Sequence, residues 1–296
     1  MRKSIAYSQN FLKDDNLVAD LVGRSSISQK DPVYEIGAGT GIITTELLKR
    51  SNRVVAFEID QNLFSKLSKR FEGNSSLTLR NTDFLKFKIS DRNYKVFSNI
   101  PFNITADVIK NLAQSPNPPE DAYLITQEEA AKKFAGEPFD TKNSQVAILL
   151  KPWFSFELFH KFKKDDFFPR PNVEIVMIKI SRKENPLIKA GLKEDWQDFV
   201  TYTFNQFQPN VVEGLTKVFG KQKIRELSKR LGFSPKVKPS ELEIKDWVEL
   251  FSDFQELQPQ YQNIVKGSYS KLISQQKVLE KIHRSRTDKN WRKYRT

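Results

Sequence analysis

The sequence predicts an α/β protein with a parallel, doubly wound sheet, followed by a small helical domain. Up to about Arg182, short apolar runs alternate with apolar residues at helical spacing, which is typical of repeated strand–helix units. Beyond that residue, the apolar residues keep helical spacing. We therefore divide the chain into a first domain at 1–182, a helical domain at 183–258 and a basic tail at 259–296.

The strands of the first domain are predicted from runs of apolar residues that end at turns or polar residues. They are expected at 31–36, 53–58, 77–79, 94–99 and 123–125, and two later runs near 154–162 and 173–180 are expected to form an antiparallel edge. Further helices are expected at 128–135 and near 146–150.

The second domain is predicted as three helices after a linker at 181–186. Their apolar faces are Trp196, Phe199, Val200, Phe204 and Phe207, then Ile224, Leu227 and Leu231, then Trp247, Leu250, Phe251 and Phe254. The second helix should stop at Gly232, and the third should begin at the capping-box pattern of 240–243.

Composition limits the function classes. The chain has 296 residues, no cysteine and two histidines, so it can form no disulfide, thiol nucleophile or thiolate metal site, and we expect no metal. No apolar run is long enough to span a bilayer and no signal peptide is evident, so we expect a cytoplasmic protein without membrane contact, and a monomer.

The charge favours a polyanionic partner. The net charge is +13, which is typical of nucleic-acid binding. From Gln260 to Thr296, ten Lys or Arg face two acids, a balance of +8. The tail is either a disordered polycation that adds salt-dependent RNA affinity or a partly helical segment with an apolar face at Ile273, Val278 and Ile282.

A glycine-rich turn follows the first predicted strand, with the sequence Glu35-Ile36-Gly37-Ala38-Gly39-Thr40-Gly41. Such a turn between strand and helix lets the backbone approach a ligand closely. A dinucleotide fingerprint would need glycine where Ile42 stands, which disfavours a pyrophosphate ligand. The acid at Glu35 suits a cofactor with an ammonium group, such as S-adenosylmethionine.

Carboxylates end the second and third strands. Glu58 can accept hydrogen bonds from both hydroxyls of a ribose, and we prefer it to Asp60, which also suits a helix N-cap. Asp83 can accept a hydrogen bond from an adenine amino group, the alternative being a solvated loop acid.

The segment Asn99-Ile100-Pro101-Phe102, at the end of the fourth strand, can hold a planar amine. The side-chain carbonyl of Asn99 and the backbone carbonyl of Ile100 can accept its two N–H groups, which favours the rehybridised nitrogen as nucleophile. Pro101 restrains the turn, and Phe102 can stack on a nucleobase that is flipped out of a structured RNA. The alternative is an ordinary turn with Phe102 in the core.

A second aromatic–proline turn occurs at 166–171. Phe167 or Phe168 can form the opposite wall of the base pocket, although core packing suits either ring equally well. Arg170 is a candidate phosphate contact or a plain surface arginine.

In this order the motifs resemble the rRNA adenine N6-methyltransferases. The residues that carry the resemblance are Tyr7-Ser8-Gln9-Asn10-Phe11-Leu12, 35–41, 57–60, Asn81-Thr82-Asp83-Phe84, 99–102 and 167–171. The resemblance implies a Rossmann-like S-adenosylmethionine-dependent methyltransferase fold with a small C-terminal helical domain. It also implies cofactor contacts at Asn10, Leu12, Gly37, Glu58, Asp83 and Asn99.

By the same resemblance, Asn99 faces the target amine, while Phe102 and Phe167 sandwich the adenine. Phe102 stands where many relatives have Tyr, and Phe168 where some have His, so no hydroxyl or imidazole role carries over.

The family has two close branches. Ile100 and the start Tyr7-Ser8-Gln9 are similar to the Erm branch, which methylates 23S rRNA and confers macrolide, lincosamide and streptogramin B resistance. We therefore expect 23S rRNA as partner, before full ribosome assembly. The alternatives are a 16S rRNA adenine dimethyltransferase and a non-catalytic RNA-binding relative.

Overall fold

A computed structural model describes residues 10–137 and 140–278 of the protein, with side chains up to residue 276. The chain divides into two compact units. The first contains the described residues of Met1–Lys189 together with Ser240–Val248, and the second contains Ala190–Pro239 and the described residues from Glu249 onward.

The first unit is built on a seven-stranded sheet with the order β4-β3-β2-β5-β6-β9-β7. Its strands are β2 (Pro32–Ile36), β3 (Arg53–Phe57), β4 (Leu77–Arg80), β5 (Lys95–Asn99), β6 (Asp121–Gln127), β7 (Phe154–Lys161) and β9 (Ile175–Arg182). Strands β2 to β6 pair in parallel, and β9 pairs antiparallel with both β6 and β7. The predicted strands and the antiparallel edge are thereby confirmed.

Helices cover both faces of this sheet. They are α1 (Asp15–Arg24), α2 (Ile42–Arg50), α3 (Gln61–Arg70), α4 (Thr105–Gln114), α5 (Glu128–Ala135) and α6 (Gln145–Leu150). Neighbouring residues of β2 point to opposite sides, because side chains alternate along a strand. Val33 packs in the cluster with α1 and α2, and Tyr34 packs in the cluster with α4, so the sheet is doubly wound.

Side-chain caps set where two of the helices begin. Asp14 accepts hydrogen bonds from the backbone N–H groups of Asn16 and Leu17, at 2.8 and 3.2 Å. Asp60 does the same at the start of α3, with Asn62 and Leu63 at 2.8 and 3.0 Å. These bonds satisfy donors that a helix N-terminus leaves unpaired. Asp60 therefore has the N-cap role that the sequence offered as its alternative.

A second, two-stranded sheet pairs β1 (Phe11–Leu12) antiparallel with β8 (Phe167–Phe168). In its register Phe11 faces Phe168, and Leu12 faces Phe167. Two motifs about 150 residues apart in the chain are therefore neighbours.

The segment Ser240–Val248 belongs to the first unit, although the sequence placed it in the helical domain. Asn143 holds it there, since its backbone N–H donates to the Ser240 carbonyl at 2.7 Å and its Nδ2 donates to the Leu242 carbonyl at 3.2 Å. The unit boundary after the sheet falls at Lys189, a few residues beyond the predicted position.

The second unit is helical. Its helices are α7 (Lys193–Phe204), α8 (Val211–Gly214), α9 (Thr216–Phe219), α10 (Lys221–Leu231), α11 (Ile244–Gln255), which begins in the first unit, α12 (Pro259–Gln262) and α13 (Ser268–Val278). Trp196 and Phe199 pack against Phe251 with ring centroids 5.3 and 5.8 Å apart. The helix α10 ends at Gly232, which has φ +78°, as the sequence predicted.

Three expectations for this unit need comment. Phe207 is not on the apolar face of α7, because that helix ends at Phe204 and the Phe207 side chain is fully exposed. The capping-box prediction was wrong, since Pro239–Glu241 forms a 3-10 turn and α11 begins only at Ile244. The tail is helical over α13, and residues 279–296 lie outside the described chain.

The helices of the described residues are all too short or too polar to cross a bilayer.

Candidate active site

Four adjacent parallel strands bring the predicted site residues to one edge of the sheet. In the order β4, β3, β2, β5, the strands lead into Asp83, Glu58, the 35–41 turn and Asn99. Neighbouring strands are ~4.8 Å apart, so these groups spread over a row of about 14 Å. The carboxyl edge of a parallel sheet is where doubly wound folds bind their ligands.

The glycine turn requires glycine at its bends. Gly37, Gly39 and Gly41 have φ of +77°, +58° and +82°, a region that costs other L-residues energy. A Cβ on Gly39 would lie 3.0 Å from a ring carbon of Phe11, so a side chain at this position would also crowd β1. The backbone N–H groups of Gly37 and Ala38 both donate to the Phe57 carbonyl, at 2.8 and 2.9 Å, which ties the turn to β3.

Glu58 joins the two loops that leave β2 and β3. Its buried carboxylate accepts the Gly39 N–H on Oε2 and the Asp60 N–H on Oε1, each at 2.8 Å. Each carboxylate oxygen has two lone pairs, so the group can also accept from ribose hydroxyls. The same side chain therefore holds the glycine turn in shape, and its contact with a ribose stays a prediction.

Glu35 lies beneath the turn rather than on the cleft. It is buried, and the Thr44 hydroxyl of α2 donates to its Oε2 at 2.5 Å. Burial raises the pKa of Glu35 to about 8, the hydrogen bond from Thr44 opposes this shift, and the nearby Glu58 carboxylate adds to it. In this structure, Glu35 packs the turn onto α2 and does not present the open carboxylate that an ammonium group would require.

Asp83 follows β4 and caps a short 3-10 helix. Its Oδ1 accepts the Leu85 N–H at 3.0 Å, which orients the carboxylate at the sheet edge. Nearby, the amide of Asn81 donates to the Glu58 carbonyl at 2.8 Å. The loops after β3 and β4 are therefore linked by Asn81, and both carboxylates are held in place.

The orientation of the Asn99 amide is set by its partner. Its Nδ2 donates to the backbone carbonyl of Asn10 at 2.7 Å. Since a carbonyl can only accept, the nitrogen must face Asn10, and the Oδ1 acceptor is turned elsewhere. The next residue is also fixed, because the Ile100 N–H donates to the Ile125 carbonyl at 3.2 Å. Pro101 in turn accepts from Ile104 at 3.0 Å.

A cleft opens beside these groups, and its lining comes from three separate parts of the chain: Asn10, Phe11, Gly37, Asn99, Ile100, Pro101 and Phe102. Phe102 is half-buried, so part of its ring is accessible. An acceptor amide, a backbone turn and an aromatic ring thus share one concave site, which is the setting expected for a small planar ligand.

The two phenylalanines of the second aromatic–proline turn differ sharply in exposure. Phe167 is 1% exposed and packs edge-on against Phe162 at 5.2 Å, whereas Phe168 is 69% exposed. Leu12, the cross-strand neighbour of Phe167, is also buried. Neither side chain lines the cleft, and the accessible ring beside Phe11 is that of Phe168.

Ser98 has a positioning role that the sequence prediction missed, and Asn10, which the sequence predicted as a cofactor contact, has a positioning role as well. The buried Ser98 hydroxyl bridges β5 to β2, accepting from the Ile36 N–H at 3.0 Å and donating to the Ile36 carbonyl at 2.5 Å. The side chain of Asn10 donates to the Pro169 carbonyl at 2.5 Å, which anchors the β8 turn. A serine inside an apolar strand was the available signal for Ser98. The segment Tyr7-Ser8-Gln9, which precedes Asn10 in the same sequence motif, lies outside the described residues.

The residues at this edge of the sheet fit an S-adenosylmethionine ligand. The glycine turn leaves room that a Cβ would fill, acceptors stand at Glu58 and Asp83, and dinucleotide spacing is absent from the sequence of the turn. The fold and this edge define the class of Rossmann-like, S-adenosylmethionine-dependent methyltransferases.

Within that class, the chain belongs to a particular family. The model for "Ribosomal RNA adenine dimethylase" matches residues 1–256. The protein is therefore an rRNA adenine methyltransferase that uses S-adenosylmethionine, which confirms the enzyme class, the fold and the cofactor that the sequence predicted.

Curated relatives cover most of the chain. A protein of Mycoplasmopsis pulmonis named "Ribosomal RNA small subunit methyltransferase A" is 29% identical over 85% of this chain and 98% of its own length. One of the same name from Halothermothrix orenii is 31% identical over 80% of this chain and 83% of its own.

Two solved structures share the fold. The 23S rRNA methyltransferase ErmE superposes with a TM-score of 0.76 at 24% identity, covering 83% of this chain and all of its own. A dimethyladenosine transferase from Plasmodium falciparum gives a TM-score of 0.69 at 22% identity, over 83% and 98% of the two chains. At this identity the likeness establishes the fold, and the expected Erm-type resistance activity is not confirmed.

Proposed function

We propose that this protein dimethylates N6 of adenine in small-subunit rRNA, the activity first considered as the alternative to an Erm function. The curated relatives named above support the choice of subunit. The observation that carries the chemistry is the Asn99 amide, whose nitrogen is held by Asn10 so that its oxygen is left to accept from an amine.

An exocyclic adenine amine is a poor nucleophile because its lone pair is delocalised into the ring. We assign the Asn99 side-chain carbonyl and the Ile100 backbone carbonyl as acceptors for its two N–H groups. Pro101 restrains the backbone beside the second acceptor. Fixed acceptors favour the rehybridised nitrogen, whose lone pair is no longer delocalised into the ring. The rate gain therefore comes from orientation and electrostatics rather than from a strong base.

Two rings would hold the flipped base. Phe102 lines the cleft and is half-buried, which suits a stacking surface. For the opposite wall we prefer Phe168, because its ring is accessible and its cross-strand partner Phe11 lines the cleft, while Phe167 supports β8 from the core. Phe167, the residue implied by the family resemblance, would need to leave its packing against Phe162 before it could stack on a base.

S-adenosylmethionine supplies the methyl group when bound. Along the strand edge we assign Asp83 to its adenine amino group, Glu58 to its ribose hydroxyls and Gly37 to the close backbone approach. Asn10 and Leu12 are assigned further contacts, Leu12 through its backbone because its side chain is buried.

A second candidate is the Erm-type methylation of 23S rRNA with macrolide resistance. Ile100 and the Tyr7-Ser8-Gln9 start favour it. The two candidates share the same chemistry and differ only in the RNA that presents the adenine.

Methyl transfer from labelled cofactor separates the candidates. The substrates are small subunits from a strain that lacks this modification, and protein-free 23S rRNA, with the Asn99→Ala variant as control. Label in adenines of the small subunit, and none in 23S rRNA, is expected. Label only in 23S rRNA, together with macrolide resistance in an expressing sensitive strain, would overturn the small-subunit assignment. The absence of label in both RNAs would overturn the proposed chemistry.

A further inference from the structure

A groove of about 920 Å³ lies within the second unit between α7 and α13. Tyr202, Asn205 and Gln206 line one wall, and Lys266, Lys271 and Gln275 line the other. The second wall falls outside the residues that the family model matches, which end at residue 256. One wall of the groove therefore lies within the matched family region, and the other wall lies beyond it.

The added wall is anchored to α7 by a carboxylate. Asp198 accepts the Gly267 N–H on Oδ2 at 2.6 Å and the Tyr269 N–H on Oδ1 at 2.9 Å. These bonds satisfy backbone donors at the start of α13 in the manner of a helix N-cap. Gly267 has φ +77°, which allows the sharp turn into the helix.

The segment between α11 and α13 is also held by contacts within the second unit. The amide of Gln262 donates to the carbonyl of Gln255, the last residue of α11, at 2.9 Å and to that of Leu257, just beyond the helix, at 3.0 Å. Val265 is buried. The wall that carries the two lysines thus has specific contacts on both sides of its turn.

The chemistry of the groove suits an anionic chain. Residues 257–278 contain three lysines and no acid. Lys266 and Lys271 are exposed, and among the described ion pairs neither lysine has an acidic partner. On the facing wall, Asn205 and Gln206 use their amide nitrogens on carbonyls of their own helix, at 2.8 and 2.9 Å. Their carbonyl oxygens remain as hydrogen-bond acceptors.

An exposed ring follows this wall in the chain. Phe207 comes directly after Gln206, and its relative exposure is 104%. A fully exposed phenylalanine loses the burial that stabilises such rings elsewhere, so its position favours a contact outside the chain. A groove with two exposed lysines, one of whose lining residues is followed in the chain by an exposed aromatic ring, offers the groups that bind unpaired nucleic acid through phosphates and base stacking.

We propose that this groove binds an unpaired segment of RNA, with Lys266 and Lys271 on phosphates and Phe207 stacked on a base. The proposal rests on the proposed function only in that the ligand is RNA. It adds to that function a second contact surface, made in part by residues beyond the shared family core. A double-stranded ligand would not offer a free base face to Phe207, which is why the unpaired form is specified.

The test measures binding of full-length proteins to a labelled single-stranded RNA of about ten nucleotides, by fluorescence anisotropy over a salt series. The variants are Phe207→Ala, Phe207→Tyr and the double substitution K266Q/K271Q. The matched charge control is K66Q/K110Q, which removes two exposed lysines from helices of the first unit. Binding of S-adenosylmethionine by calorimetry verifies that every variant is folded.

Phe207→Ala is expected to weaken binding roughly 5- to 150-fold, the range for loss of one base–aromatic stack. Phe207→Tyr should restore it. K266Q/K271Q should lower the slope of log K against log salt by about 1.4, at ~0.7 per lost phosphate contact on a single strand. The control should leave the slope near that of the wild type.

The outcomes separate this proposal from the catalytic one. If the wild type binds and methylates RNA while the groove variants match it, the groove proposal is overturned and the methyltransferase assignment stands. If the wild type binds the probe through the groove and methylates neither rRNA, the groove stands and the assignment fails. A wild type that does not bind the probe overturns the groove proposal.

Discussion

Replacing Glu58 by Gln tests the strand edge that organises the proposed cofactor site. The wild-type carboxylate accepts the N–H groups of Gly39 and Asp60, one on each oxygen, at 2.8 Å. Glutamine keeps the shape but has only one oxygen. Its amino group must then face one of the two backbone N–H groups, donor against donor.

The expected loss of stability follows from the number of hydrogen bonds that the substitution removes. One hydrogen bond to a charged acceptor is lost, at about 1.5–3 kcal/mol, in a buried place where water does not replace it. For a unit of this size, a loss of about 2 kcal/mol lowers Tm by about 4–8 °C. A similar loss of ribose contacts weakens cofactor binding about 10- to 150-fold.

Thermal denaturation and titration calorimetry with S-adenosylmethionine measure both effects. Glu72→Gln is the matched control, because Glu72 is exposed near the end of α3 and makes the same chemical change at the surface. If Glu58→Gln has the same Tm as the control variant and binds the cofactor as tightly as the wild type, then the carboxylate neither holds the turn nor contacts the ribose.

Three further predictions concern the same unit. Asn99→Ala should lower kcat about 10²- to 10³-fold in the methyl-transfer assay with RNA affinity largely kept, and near wild-type turnover of this variant would contradict the acceptor role. Asn99→Asp keeps an acceptor oxygen but loses the hydrogen bond to Asn10, so its near wild-type turnover would contradict the orienting role of Asn10. Phe168→Ala should raise KM for RNA with Tm unchanged because the ring is exposed, while Phe167→Ala should lower Tm by removing core packing; the reverse pattern would return the stacking role to Phe167. Burial raises the pKa of Glu35 from its ordinary value of 4.5 to about 8, so between these values the folded state holds a proton which the unfolded state releases. The free energy of unfolding of the wild type should therefore fall from about pH 4.5 to about pH 8, and that of Glu35→Gln should lack this fall. If denaturation experiments gave both proteins the same pH dependence of the free energy of unfolding, a neutral Glu35 would be refuted.

The strand ends were predictable because each carries its signal locally. Apolar runs that stop at Glu58 and Asn99 mark both the strand and the polar group beyond it. In a parallel sheet those ends share an edge, so the row of site residues followed from the fold class alone. The glycines at 37, 39 and 41 were informative for the same reason, since each adopts a positive φ.

Other residues depended on neighbours far along the chain. Phe167 and Phe168 are adjacent and identical, and nothing local tells which ring is buried. The pairing of β8 with β1 decides this, because it turns Phe167 to the core and Phe168 outward. Phe207 fits a helical spacing, yet α7 ends three residues earlier and leaves its ring in solvent.

The choice of RNA target showed the limit of a short motif. Ile100 and the Tyr7-Ser8-Gln9 start favoured the Erm branch, but the curated relatives that span most of the chain are named small-subunit methyltransferases. Ile100 has a buried side chain, so the branch-specific residue packs in the core, and our proposal gives only its backbone a contact with the ligand. A difference of this kind carries little information about which RNA is bound.

By itself, the sequence determined the doubly wound sheet and the Asn99–Phe102 segment, because periodicity and strand-end chemistry are local properties, and the resemblance of its ordered motifs to a known family implied the methyl donor. The tertiary structure decided how those groups are oriented. The Asn10 carbonyl fixes the Asn99 amide, Glu58 accepts from two loops at once, and α13 meets α7 through Asp198 to form a groove. Apart from the bond between Glu58 and Asp60, each of these contacts joins groups distant in sequence, and the folded chain is what brings them within hydrogen-bond distance.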